Sequence, residues 1–81
     1  MHSVIRSPQA LGNAVRHARR TAGLTQQKLG ARANLRQATI SSLEKGEGAT
    51  LDTLFAVLTC LKLELQLGDR STAPAALEDI F

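Results

Sequence analysis

Eighty-one residues, with two Phe and no Trp or Tyr, allow one small domain whose core is aliphatic: Leu, Val, Ile and Ala. A single Cys excludes an intramolecular disulfide framework, and no apolar run approaches the roughly 20 residues of a membrane span. The net charge of +3 hides an asymmetry: residues 1–62 balance at +6 and residues 63–81 at −3. A basic body suits a polyanion; an acidic end does not. The N-terminal MHSVIRSPQ lacks the apolar stretch of a signal peptide, so a soluble cytoplasmic protein with no membrane partner is expected.

Residues 1–6 are too few to fold alone, and Val4 and Ile5 either dock on the body or pair as an edge strand. Ser7-Pro8 then reads as a helix start, with Ser as N-cap and Pro at the first helical position. That helix runs to about Ala22 with Leu11, Val15, Ala18 and Ala22 on one stripe, and Gly23 follows as the C′ residue. Arg16 and Arg20, four apart, fall on a more exposed side, and His17 faces solvent. His17 and His2 find no third ligand, so no metal and no cofactor are expected.

Thr25 is a good N-cap for a second helix, with Leu29 and Ala33 at helical spacing. Asn34, which tolerates positive φ, marks the reversal. A third short helix begins near Gln37 and turns Ile40 and Leu43 inward. Its other face shows Gln37, Ala38, Thr39, Ser41 and Ser42, with Arg36 at the entrance. A solvated helix face usually carries Lys and Glu. One made of Gln, Ser and Thr suits hydrogen bonding to base edges in a major groove. This is a helix-turn-helix pattern, with Gln37 opening the recognition helix.

Gly46 closes that helix. Thr50 caps a fourth, with Asp52 in its first turn, and Leu51 to about Leu61 is apolar nearly all round. Such a helix is buried on more than one side, so Phe55 and Leu58 are expected to meet a second subunit. Cys60 reads as a packed thiol, with no neighbour placed to activate it. From Lys62 to Leu67 the pattern alternates polar and apolar, the signature of a strand. A lone strand leaves backbone groups unpaired, so 63–67 should pair antiparallel with its twofold copy, through Leu63, Leu65 and Leu67. Pairing with residues 3–6 is the alternative. Beyond Gly68 the composition turns to Ala, Ser, Thr, Pro and acids, which reads as a disordered tail over residues 69–81. Its Leu77-Glu78-Asp79-Ile80-Phe81 segment reads either as a docking peptide or as a frayed terminus.

Two motifs, Arg19-x-x-x-Gly23-Leu24-Thr25-Gln26-x-x-Leu29 and Ala38-Thr39-Ile40-Ser41-x-Leu43-Glu44-x-Gly46, carry a family resemblance. Residues 9–61 resemble a lambda-repressor-like (Xre-type) helix-turn-helix domain. The Ser7-Pro8 start, the run 37–41, Thr50-Leu51, the Leu-rich strand and the aromatic-tipped tail extend the likeness to the HipB-type antitoxins. The implied fold is all-α: a compact four-helix DNA-binding domain over 1–68, plus one C-terminal β-strand pairing across a homodimer. Three positions depart from the broad pattern: Gly30 for the usual Ala, Asn34 for the turn Gly, and Arg36 for a Ser or Thr cap.

The resemblance further implies roles. Arg36, Gln37, Ala38, Thr39, Ser41 and Ser42 would face bases, and Thr25, Gln26, Lys45 and Thr50 would meet phosphates. Arg19 and Glu44 would form a partly buried ion pair, and Leu77, Ile80 and Phe81 would bind a HipA-like serine/threonine kinase toxin. The partners expected are therefore an operator duplex, a second copy and that toxin. An enzyme is not expected, since no nucleophile constellation, phosphate loop or metal spacing appears. A helix-turn-helix adaptor would not need the Gln/Ser/Thr face. A free-standing repressor remains the competing reading, and would not need the tail.

Overall fold

The computed structural model describes residues 4–70. Four helices follow one another: α1 (Pro8–Thr21), α2 (Gln26–Ala33), α3 (Gln37–Glu44) and α4 (Leu51–Cys60). Side-chain caps begin three of them. Ser7 accepts from the Ala10 N–H, Thr25 from Lys28 and Thr50 from Thr53. Arg36 stands at the N-cap of α3 with no side-chain cap bond, as its chemistry dictates. Left-handed residues end all four: Gly23, Asn34, Gly46 and Lys62, with φ of 74°, 59°, 75° and 58°.

The α3 helix is packed against both α1 and α2, and α4 packs on α2. Two glycines permit the closest approaches. A Cβ on Gly12 would stand 2.3 Å from the Glu44 carbonyl oxygen, and one on Gly30 would stand 2.7 Å from that of Leu35. Gly30 is therefore more than a tolerated substitute for Ala, because the turn backbone occupies the space a methyl would need. Val15, Leu24, Leu29, Ile40, Leu43, Leu54, Val57 and Leu58 form one buried cluster between the helices. Leu11, Leu35, Cys60 and Leu61 pack at its edge, which places the Cys60 thiol at the margin of the core.

Several sequence expectations are corrected by the structure. The buried line of α1 is Gly12, Val15 and Arg19, while Ala22 is exposed. The apolar stripe misplaces it because a glycine and an arginine carry the contact with α3. Leu58, expected at a subunit interface, is 5% exposed and belongs to the subunit's own core. Lys62 does not open a strand; it ends α4 in the left-handed conformation, with the Leu63 N–H donating to the Leu58 carbonyl at 2.8 Å.

No strand forms among the described residues. Residues 63–70 are exposed and non-helical, because a strand is defined by a ladder and one chain supplies no second edge. Val4, Ile5 and Arg6 line one shallow hollow with Gln66, Gly68, Asp69 and Arg70, yet no backbone hydrogen bond joins the two segments. Leu51, Phe55, Leu63, Leu65 and Leu67 are left exposed on the α4 side.

Candidate nucleic-acid interface

The centre of the helix-turn-helix unit is a carboxylate. Glu44, in the last turn of α3, is 1% exposed. Its Oε2 accepts from Arg19 Nε at 2.6 Å. Its Oε1 accepts from Arg19 Nη2 at 3.0 Å, Gln26 Nε2 at 3.1 Å and Arg16 Nε at 3.4 Å. Arg19 Nη1 donates to the Leu24 carbonyl at 2.8 Å, so the guanidinium also fastens the loop between α1 and α2. Burial pushes the Glu44 carboxyl up. Hydrogen bonds from Arg19 and Gln26, the Arg19 charge and the Arg16 bond together outweigh it, holding the group below its ordinary 4.5. Arg19 is raised, chiefly by its hydrogen bond to Glu44.

Around this anchor the α3 face is set. Ala38 and Ser42 lie two residues either side of buried Ile40, about 200° round the helix from it. Gln37 and Ser41, four apart, share the flank toward Glu44. Arg36, Gln37, Ala38 and Lys45 are exposed, whereas Thr39, Ser41 and Ser42 are half-buried. The second half of α3 is more enclosed because α1 closes on the backbone there, at Gly12.

The hydroxyls expected to meet phosphates are partly occupied. Thr25 Oγ1 accepts from Lys28 and keeps its proton free to donate. Thr50 Oγ1 both accepts from the Thr53 N–H and donates to Thr53 Oγ1, so only its backbone is free for an anion. Gln26 uses one amide proton on Glu44 and retains the other. Residues Leu77, Ile80 and Phe81 lie outside the described residues. His17 is exposed, and no metal-binding cluster occurs among the described residues.

Arg16 is the neighbour of the Glu44 anchor that periodicity leaves on the open side. The signal is present: Arg16 and Arg19 are three apart, so a carboxylate held by one lies within reach of the other. Gly12 is likewise legible, as a glycine inside an otherwise regular helix.

Residues 15–67 match the helix-turn-helix family HTH_3. Antitoxin HipB of Escherichia coli K12 is 39% identical over 70 residues, covering 85% of this chain and 80% of the relative. The chain belongs to the helix-turn-helix family and, within it, to the HipB antitoxins. Among solved structures, HipB in the HipA-HipB-O2-O3 complex aligns with a TM-score of 0.79 at 37% identity, covering 86% of this chain and all of that one. A single-substitution variant of HipB in its O2 20mer complex gives 0.81 at 36%, covering 88% and 100%. The restriction-modification controller C.AhdI of Aeromonas hydrophila, at 24% identity and 0.67, covering 70% and 88%, shares the fold.

In this HipB-family chain the Glu44 anchor should govern acid stability. A carboxyl with a lowered folded value contributes stability that is complete above the unfolded value near 4.5 and is lost as pH falls through it toward the folded value. Stability of the intact chain against urea should therefore fall below about pH 4.5, and Glu44→Gln should flatten that limb. Glu44→Ala strands Arg19 without a partner and should cost about 3–5 kcal/mol at neutral pH. An unchanged melt in Glu44→Ala would show that the pair has no structural role.

Proposed function

We propose that this protein is a sequence-specific DNA-binding antitoxin and transcriptional autorepressor of a toxin-antitoxin operon. The observation that carries the reading is the outer face of α3. It is uncharged across Gln37, Ala38, Ser41 and Ser42, with exposed cations Arg36 and Lys45 at its two ends. Cations at the rim meet phosphates while amide and hydroxyl groups between them address base edges. In this reading Gln37 reads adenine through both amide groups, and Ala38 or Thr39 meets a thymine methyl. Thr25, Gln26, Lys45 and the Thr50 backbone take phosphates. Family membership supports the same reading, since the solved relatives include HipB in complex with HipA, O2 and O3.

The functional unit is a homodimer built on residues 1–68. Residues 63–67 of two copies pair antiparallel and lay Leu63, Leu65 and Leu67 over α4, covering Phe55. The apolar side chains exposed there in the single chain support this arrangement. Leu77, Ile80 and Phe81, within residues 69–81, engage a HipA-type kinase toxin.

A dimer of this kind should protect an inverted repeat with recognition helices about 34 Å apart. Footprinting without a twofold-symmetric site would count against it. Gln37→Ala should relax base preference at one position per half-site, at about 1–3 kcal/mol, in competition binding against substituted duplexes.

Leu65→Lys would place an ammonium group in the apolar layer and should give monomers with weak operator affinity. Sedimentation showing an intact dimer would remove the strand from the interface. Deleting residues 75–81 should leave operator binding unchanged and weaken toxin capture. Undiminished capture would remove Leu77, Ile80 and Phe81 from the toxin interface.

A further inference from the structure

Glu44 carries one negative charge and meets two guanidinium groups. Arg19 takes both carboxylate oxygens and is 7% exposed, so the buried pair is already neutral. Arg16 is the surplus cation. It touches the carboxylate through Nε alone, at 3.4 Å, well beyond the ~2.7–2.9 Å of a strong charge-assisted bond. Its side chain is 37% exposed, and neither Nη1 nor Nη2 has a hydrogen-bond partner among the described residues. Four N–H donors on that head are therefore free. Gln26 Nε2 donates to the same Glu44 oxygen, so the heads of Arg16 and Gln26 are neighbours on one side of the domain.

We propose that Arg16 is a phosphate-binding residue: its two free Nη groups clasp the non-bridging oxygens of a backbone phosphodiester beside the one Gln26 approaches. The inference rests on the DNA-binding reading above and adds a contact from α1 to it. A planar guanidinium presents two parallel donors to a phosphate, which suits the free end of Arg16. The long Nε contact aims the head without saturating it. Releasing that contact leaves no buried charge alone, because Arg19 still holds Glu44. The side chain can therefore swing toward a phosphate at little internal cost.

The test is operator affinity against salt concentration for the intact protein, Arg16→Gln and Arg16→Lys, with a thermal melt of each. Each lost phosphate contact makes the log–log slope shallower by about 0.9, so Arg16→Gln should lose about 1.8 per twofold dimer. Affinity should fall alike on operator and unrelated duplex, and Arg16→Lys should restore the slope. Arg16→Met, which keeps the apolar stem, gives the same reading where Arg16→Gln folds poorly. A lower melting temperature with an unchanged slope would make Arg16 a purely structural residue and overturn the proposal. If the intact protein binds no duplex, this role and the reading beneath it fall together; an unchanged slope with binding intact overturns this role alone.

Discussion

Everything at the proposed DNA face depends on where one carboxylate is placed. Glu44 sits at the C-terminal end of α3, where the helix dipole disfavours a negative charge, and it is almost fully buried. It persists because Arg19, Gln26 and Arg16 give it four hydrogen bonds from two other helices. A buried ion pair of this kind is weak evidence of net stability, since apolar replacements of similar volume often do as well. Its use here is registry. Three helices meet at one group with directional bonds, so the angle of α3 against α1 and α2 is not free to drift.

Registry matters because α3 is a poor helix by itself. It has eight residues, no side-chain cap and no charge pair along its outer face. A helix that short is marginal in water and holds its shape through tertiary contact. Ile40 and Leu43 anchor its inner face, Gly12 lets α1 close on its backbone, and Gly30 lets the preceding turn pass. The residues that would have made α3 stable alone, Glu and Lys at paired spacing, are those that would spoil an uncharged reading face. The anchor inside permits the face outside.

That trade explains what is legible in the sequence. Helix starts and stops are plain because Ser7-Pro8, Thr25, Thr50, Gly23, Asn34 and Gly46 each have a local conformational reason. The α3 face is plain because its composition is unlike a solvated surface. The burial of Arg19 and Glu44 is signalled by family resemblance and not by periodicity, which assigns charged residues outward. Periodicity assigns Arg16 outward for the same reason, and only its three-residue spacing from Arg19 points to the shared carboxylate. Leu58 escapes a sequence reading because a helix apolar all round does not announce which side its own subunit covers. A lysine in the left-handed conformation carries no composition signal at all.

The α4 side shows why such a chain is expected to work in pairs. The subunit's own buried cluster is small and wholly aliphatic, while Leu51, Phe55 and Leu67 are 71%, 50% and 98% exposed. Leaving that much apolar surface in water forgoes stabilisation of about 25 cal/mol per Å², which a domain of this size can ill spare. On the proposed dimer, pairing residues 63–67 satisfies their backbone groups and covers these side chains in one step. Folding, dimerisation and duplex binding then become linked equilibria. A partner duplex with two half-sites would stabilise the fold by mass action, and dilution would weaken both. The basic, ion-anchored half of the chain and its apolar half would thus act as one unit. Neither half has the core to act alone.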